Sequence, residues 1–290
     1  EPYRIEGDMW AIPGGANLVV TYYNKDIFDR YNAAYPEPGW TWDDMQMTAM
    51  SVRDSDEGIY GLTAPPFSAI PLVYQHGGRI VDDWRRPTRL IVDEPLTIEA
   101  IEWYASLIHD YDVMPSPQEA ERQFGNEGSP GYIFWRQKTG MYVGFYSDRG
   151  GATWGRGARW PMQWGMAPLP RDKNAATLGF VLAYAALADT PYPQACWEWI
   201  AYLSQKPPPF VIPARRSLVE SSAFAEQVGS ETAEVARVTI EDALIVANVQ
   251  MQGLGTGGSE GLDQALEAIF NGQTDALTAL TELQDQSDAQ

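Results

Sequence analysis

The 290-residue sequence predicts an α/β fold, and three observations carry that prediction. Short β-branched and aromatic runs alternate with stretches of helical apolar spacing, the pattern of strands paired at least partly in parallel. Apolar residues make up 44% of the chain, enough for sizeable cores. Helical segments gather toward the C-terminus, so one simple doubly wound domain fits poorly.

The elements follow in order. Asn17 to Asn24 is β-branched and aromatic and reads as a strand, turning into a short helix over Lys25–Tyr31. Thr41 followed by Asp44 has the capping-box spacing, with Asp in place of Glu, and opens a helix to about Arg53. Tyr60–Leu62 is a short strand. Pro65–His76 reads as a helix closed by Gly77-Gly78, since glycine readily takes the left-handed conformation at a helix end. Strands are expected at 79–81 and 89–92. Asp93 is expected to cap a helix with Pro95 in its first turn and Ile98, Ile101, Tyr104, Ala105 and Ile108 at helical spacing. Tyr132–Thr139 reads as a helix, Met141–Tyr146 as a strand, and the Gly-, Trp- and Arg-rich stretch 150–160 as a loop or broken helix.

Gln163–Leu169 and Leu178–Leu187 are apolar strands around the turn-like Pro170–Asn174. Helices are expected at 191–204, 221–228, 231–249, 260–270 and 274–283, followed by a polar tail. The proline-rich 207–213 and glycine-rich 253–258 interrupt them as extended or broken segments.

Charge and composition exclude several functions. The formal net charge is −19, a field that repels phosphate backbones and anionic lipid. No run approaches the roughly 18 consecutive apolar residues of a membrane helix. Glu1-Pro2-Tyr3-Arg4 is no charged-then-apolar leader, so a targeting segment is read as removed or never present. The single cysteine, Cys196, excludes an internal disulfide and is expected to be a buried, inert thiol on the inward apolar face of its helix.

Catalytic and metal motifs are missing. His76 and His109 stand on separate predicted helices, outside any metal-ligand spacing. Neither a nucleophile elbow nor a P-loop nor a dinucleotide fingerprint appears. Gly253-x-Gly255-x-Gly257-Gly258 follows a helix rather than a strand and lacks the Lys-Ser/Thr pair. The acidic pairs Asp43/Asp44, Asp82/Asp83 and Glu241/Asp242 read as solvated surface rather than as the facing carboxylates of a glycosidase.

Several segments together resemble the family 1 extracellular solute-binding proteins of ABC importers, the maltose-binding-protein-like family. They are Asp8-Met-Trp-Ala-Ile-Pro13, Asn17–Phe28 with its Tyr-Asn-Lys-Asp, and Trp40-Thr-Trp-Asp-Asp44. Gly77–Asp82, Ile98–Tyr104, Met166-Ala-Pro-Leu-Pro170, Ala195–Leu203 and Pro213–Ser217 continue in the family's order. The resemblance implies a two-lobed periplasmic-binding-protein-like fold of type II, whose lobes close on a ligand without chemistry or cofactor. It implies a sugar ligand, a membrane permease as partner, a monomer, and a place in the periplasm or at the cell surface as a lipoprotein. One departure is large. The family's opening strands, about one domain's worth or roughly a hundred residues, have no counterpart, because the crossover strand already begins at residue 17. The N-terminal lobe is therefore expected to be incomplete, represented by 1–17 and 168–212, with 18–167 and 213–290 forming the C-terminal lobe.

Carried over by position, Asn17 precedes the hinge strand as a polar ligand contact, Phe67 matches a stacking aromatic, and Tyr146 matches a second one. A sugar offers apolar ring faces and a rim of hydroxyls, so its site calls for aromatic plates and planar polar groups in a cleft. Phe67, Tyr146 and Trp154 are the expected plates, and Asn17, Asp148, Arg149 and Gln252 the expected rim. The family's late aromatic has no counterpart near 250–253, which argues against a maltodextrin. The alternatives are a glycoside-active enzyme, a ligand sensor without transport, or a polyol or phosphorylated-glycerol ligand. A phosphate would call for clustered arginines, for which Arg215-Arg216 is the one suggestive pair.

Overall fold

The computed structural model describes residues 3–5, 7–83, 87–151, 159–242, 244–247 and 259–289. A small hairpin, β1 (Arg4–Ile5) and β2 (Asp8–Met9), leads into β3 (Ile12–Asn24), a 13-residue strand around which the molecule is organised. Then follow α1 (Lys25–Tyr31), α2 (Trp42–Val52), β4 (Tyr60–Thr63), a 3₁₀ turn at Pro66–Ser68 and α3 (Ala69–His76). Next come α4 (Pro95–His109), α5 (Pro117–Phe124), α6 (Pro130–Trp135), β5 (Thr139–Phe145) and a kinked 3₁₀ turn at Tyr146–Gly151. The second half holds β6 (Trp164–Ala167), β7 (Ala176–Tyr184), α7 (Pro193–Leu203), β8 (Ile212–Pro213), α8 (Arg216–Val219) and α9 (Ser222–Val228). It closes with α10 (Ser230–Asp242), β9 (Leu244–Ala247), α11 (Ser259–Phe270) and α12 (Ala276–Asp288).

β3 changes neighbours halfway. Its first half pairs antiparallel with β7, from Ile12 opposite Tyr184 to Leu18 opposite Gly179, and with β8. Its second half pairs antiparallel with β5, from Val19 opposite Phe145 to Tyr23 opposite Met141, and with β6. β4 joins β5 and β9 joins β7, both in parallel, giving a mixed seven-stranded sheet of order β4-β5-β3-β7-β9. Residues 15–24 are buried without a polar-apolar alternation, as in a strand covered on both faces. The period of two still sorts them. Val19 and Tyr23 join a core with α1–α4, α11 and α12, while Leu18, Val20 and Tyr22 join another with Phe134, Tyr142, Trp160, Phe224 and Ala236.

The capping box at Thr41 and Asp44 is formed, and Gly77 ends α3 at φ 93°, as expected. Other elements differ. The strands expected at 79–81 and 89–92 shrink to one bridge, Val81 opposite Leu90. Here the Asp82 carboxylate accepts the N–H groups of Asp83, Thr88 and Arg89 and the Thr88 hydroxyl, closing a turn between the two runs. α4 starts at Pro95, and its cap position is Glu94 rather than Asp93. The helix expected over 132–139 ends at Trp135. Gln137, at φ 57°, turns the chain and frees Thr139 for β5.

The long helix expected over 231–249 stops at Asp242, and Leu244–Ala247 forms β9. The aliphatic run Leu-Ile-Val suits the strand position beside residues 176–179 of β7. α12 runs to Asp288, through what reads as a polar tail. α7 departs most. Only Ile200 of this helix is buried, Cys196 is half-buried, and Trp197, Trp199 and Tyr202 stand more than half exposed. The apolar spacing is present, but no described element covers that face.

Candidate ligand-binding cleft

Where β5 ends, a cleft of about 360 Å³ opens between Pro65, Phe67, the 129–132 segment, Tyr142, Phe145 and Asp148. The parallel pairing of β4 with β5 sets Thr63 beside Tyr142, so the chain leaving β4 runs along the end of β5. That places the Pro66–Ser68 turn on the cleft wall. The turn is held by the Ser68 hydroxyl, which bonds the Pro65 carbonyl at 2.6 Å and the Tyr104 hydroxyl at 2.8 Å. Phe67 stacks on Phe145 with centroids 5.6 Å apart and planes at 28°. Phe145 meets Phe180 of β7 edge-on, also at 5.6 Å. Opposite, Tyr132 of α6 is 42% exposed, a ring with an accessible face.

Asp148 supplies the charge. Its Oδ2 accepts the Tyr142 hydroxyl at 2.9 Å and the Phe145 N–H at 3.0 Å, so the carboxylate is anchored at the strand end. Burial, and after it the neighbouring Asp148 charge, push the Tyr142 hydroxyl well above its ordinary range, so it stays protonated and donates. Gly144 is required between them, because a Cβ there would collide with the Tyr142 ring. The arrangement offers apolar plates and a fixed acceptor, which is the chemistry for gripping a hydroxylated ring.

Of the residues expected at the site, the cleft brings together Phe67 and Asp148. Asn17 is buried, and its amide is engaged by one neighbour: Nδ2 donates to Ser147 Oγ and Oδ1 accepts the Ser147 N–H, both at 3.0 Å. It ties β3 to the 146–151 turn. Tyr146, expected as a plate, is fully buried in the core with Tyr22, Phe134, Tyr142 and Trp160. The ring that faces the cleft at this corner is Phe145. Arg149, expected on the rim, does not line the cleft. Its guanidinium lies 4.3 Å from the Tyr146 ring centre and donates to the carbonyls of Tyr146, Pro209 and Phe210. Trp154 and Gln252 lie outside the described residues.

Tyr132, Tyr142 and Phe145 line the cleft and were not among the residues expected there. Strand alternation was the available signal: Tyr142 and Tyr146 belong to one core, whereas Phe145 packs against the other. Among the described residues no group of three or more His, Cys, Asp or Glu is placed to hold a metal ion. His76 instead lies between Asp172, 2.6 Å from Nδ1, and Glu99, 3.0 Å from Nε2.

Known structures share this architecture. The Listeria monocytogenes ABC substrate-binding protein Lmo0181, in complex with cycloalternan, aligns at TM-score 0.79 and 18% identity, covering 99% of this chain and 73% of that one. Maltose-bound MalE3 of T. maritima aligns at TM-score 0.72 and 18% identity, over 99% of this chain and 74% of its own. UgpB of Mycobacterium tuberculosis, in complex with glycerophosphocholine, aligns at 0.75 and 19%, over 99% and 72%. At these identities the likeness shows the fold, that of the maltose-binding-protein-like periplasmic binding proteins. The model of the bacterial extracellular solute-binding protein family matches residues 3–207, and to that family this chain belongs.

Proposed function

We propose that the protein is the extracytoplasmic solute-binding component of an ABC importer, and that it captures a mono- or oligosaccharide in the cleft at the end of β5. The observation that carries this is the convergence of Phe67, Phe145 and Tyr132 with the anchored Asp148 carboxylate in one opening. Aromatic faces cover the C–H faces of a sugar ring, and a fixed carboxylate accepts its hydroxyls. Solved relatives with cycloalternan and maltose support the ligand class. The working partner is a membrane permease. The protein acts as a monomer, without cofactor, in the periplasm or as a cell-surface lipoprotein. In this reading it is a binding protein rather than an enzyme, as its family and the solved relatives are binding proteins; a glycoside-active alternative would need two facing carboxylates roughly 5–9.5 Å apart, and no turnover of aryl glycosides is expected.

Residues 1–17 and 168–212 are assigned to a first lobe and 18–167 with 213–290 to a second. The change of partner along β3 between Leu18 and Val19 supports this division. So does Phe180, which reaches Phe145 across it. The uncovered rings of α7 support a first lobe that takes further polypeptide on that face, as does the quarter or so of each solved relative without a counterpart here.

A thermal-shift series against sugars and polyols tests the proposal. A true ligand stabilises the folded state by about 2.7 kcal/mol at a hundred times its Kd, rising further with concentration. A saturable, ligand-specific rise in Tm is the expected result. No rise with any member, in this chain and in a version extended to the full length of the relatives, removes the sugar assignment.

A further inference from the structure

We infer that a second binding site lies behind the wall of the cleft: the cavity between β4, α4, α5, α6 and α11 takes a small arene, a single six-membered ring. The inference is independent of what the cleft itself binds.

The cavity measures about 140 Å³. Tyr104, Ile108, Met114, Ala120, Ile133 and Phe270 line it, each of them buried. Among the described lining residues none is charged. Two carry hydroxyls, and both are engaged: Thr63 Oγ1 donates to the Pro130 carbonyl at 3.3 Å, and the Tyr104 hydroxyl meets Ser68 Oγ at 2.8 Å. A trapped water calls for about two to four polar partners, which these side chains do not supply. An apolar protein cavity of about 150 Å³, by contrast, stays dry and admits benzene. The walls add a preference for a ring. Tyr104 and Phe270, with centroids 4.8 Å apart and planes at 40°, bring two aromatic rings, and Met114 brings a thioether. Both kinds of group make favourable contacts with a further ring.

The cavity backs directly onto the cleft. In the chain leaving β4, Ala64 and Pro66 line the cavity while Pro65 and Phe67 line the cleft. The segment that opens α6 does the same: Gly128 faces the cavity, Ser129 and Gly131 the cleft, and Pro130 reaches both. The partition is therefore one residue thick. Its prolines have no N–H to bond across it, and the Thr63 hydroxyl, on the Pro130 carbonyl, ties one segment to the other. A ring in the cavity packs against the back of the turn that carries Phe67 and holds that turn in place. The turn is closed by the Ser68 N–H, which donates to the Pro65 carbonyl at 2.9 Å.

Benzene titrated into the whole chain tests this, with pyrimidine as a polar ring of the same size. The expected result is a saturable rise in Tm with benzene and none with pyrimidine. Methyl NMR should show the shift changes at Ile108, Met114 and Ile133, and the Ser68 amide should exchange more slowly once benzene is bound. Ala120→Leu fills the space from α5. Its benzene affinity should fall about tenfold or more, equivalent to about 1.4 kcal/mol, with the circular dichroism of wild type. Should that variant not fold, Ala64→Leu fills the space from the partition and the wild-type methyl shifts decide by themselves. No saturable effect of benzene overturns the inference. So do shift changes confined to the cleft or α7, or full benzene affinity in a folded Ala120→Leu. Unchanged exchange at Ser68 with benzene bound overturns the contact with the partition. None of these outcomes bears on whether the cleft takes a sugar, which the thermal-shift series with sugars decides.

Discussion

Tyr146 and Phe145 sit side by side and have opposite fates. Tyr146 is buried, its hydroxyl is pushed up to about 12 by that burial, and among the described residues this hydroxyl has no hydrogen-bond partner. A buried donor without a partner costs free energy, so removing it costs little or nothing. Tyr146→Phe is expected to leave stability within about 1 kcal/mol of wild type or raise it, and to leave ligand affinity unchanged. Tyr146→Ala, by contrast, opens a cavity in the core and should cost about 3–5 kcal/mol, read by urea denaturation. Phe67→Ala and Tyr132→Ala remove plates at the cleft wall. Each is expected to weaken ligand binding by about tenfold, or 1.4 kcal/mol, with little change in Tm. A Tyr146→Phe variant that lost binding while the two alanine variants kept it would reverse the assignment of the plates.

At the scale of elements, α2 shows how local chemistry carries over into packing. The Thr41 hydroxyl accepts the Asp44 N–H at 3.2 Å, and the Asp44 carboxylate accepts the Thr41 N–H at 2.8 Å. Thr41→Ala should cost about 1 kcal/mol, measurable as a lower denaturant midpoint. The bonds from the Thr41 hydroxyl and N–H hold the Asp44 carboxyl below the ordinary carboxylate range. A carboxyl lowered in the folded state adds stability above its unfolded pKa, near 4, and loses it as pH falls through the folded value. Thr41→Ala should therefore lose less stability than wild type between pH 7 and pH 3, measured by urea melts at both. α2 then packs on β4 through Gly61, where an added Cβ would meet the backbone of Ala49. Because that contact is backbone, no side chain can yield, and Gly61→Ala is expected to cost about 3 kcal/mol in a thermal melt.

The whole molecule turns on β3, the strand shared by two sets of partners. Under the proposed division the described cleft is lined from the second lobe alone, and closure of the first lobe over it would be read as a smaller radius of gyration in solution scattering at saturating ligand; an unchanged radius would argue against closure. The uncovered face of α7 belongs to this scale too. Trp199 and Tyr202 stack on each other and Trp197 is exposed as well, apolar surface of the kind that drives self-association. Replacing Trp197 and Trp199 by Gln should lower aggregation, followed by light scattering, without touching ligand affinity.

Much of this architecture was legible in the sequence because its signals are local. The Asn17–Asn24 run, the Thr41–Asp44 spacing and the Gly77 stop each act through neighbouring residues, and all three recur in the fold. Long-range pairing decided the rest. The 244–247 run reads as helix until β7 lies beside it, and 79–92 reads as two strands until Asp82 closes its turn. The site divides along the same line. Phe67 and Asp148 reach the cleft by their places after β4 and β5, while the choice of Phe145 over Tyr146 depends on which face of β5 meets which core. By itself the sequence determined the fold class and the family, because composition, spacing and segment order are properties of the chain. Only the tertiary structure decided which rings face the opening and which carboxylate is held there, because burial and hydrogen-bond partners are contributed by residues far away in sequence.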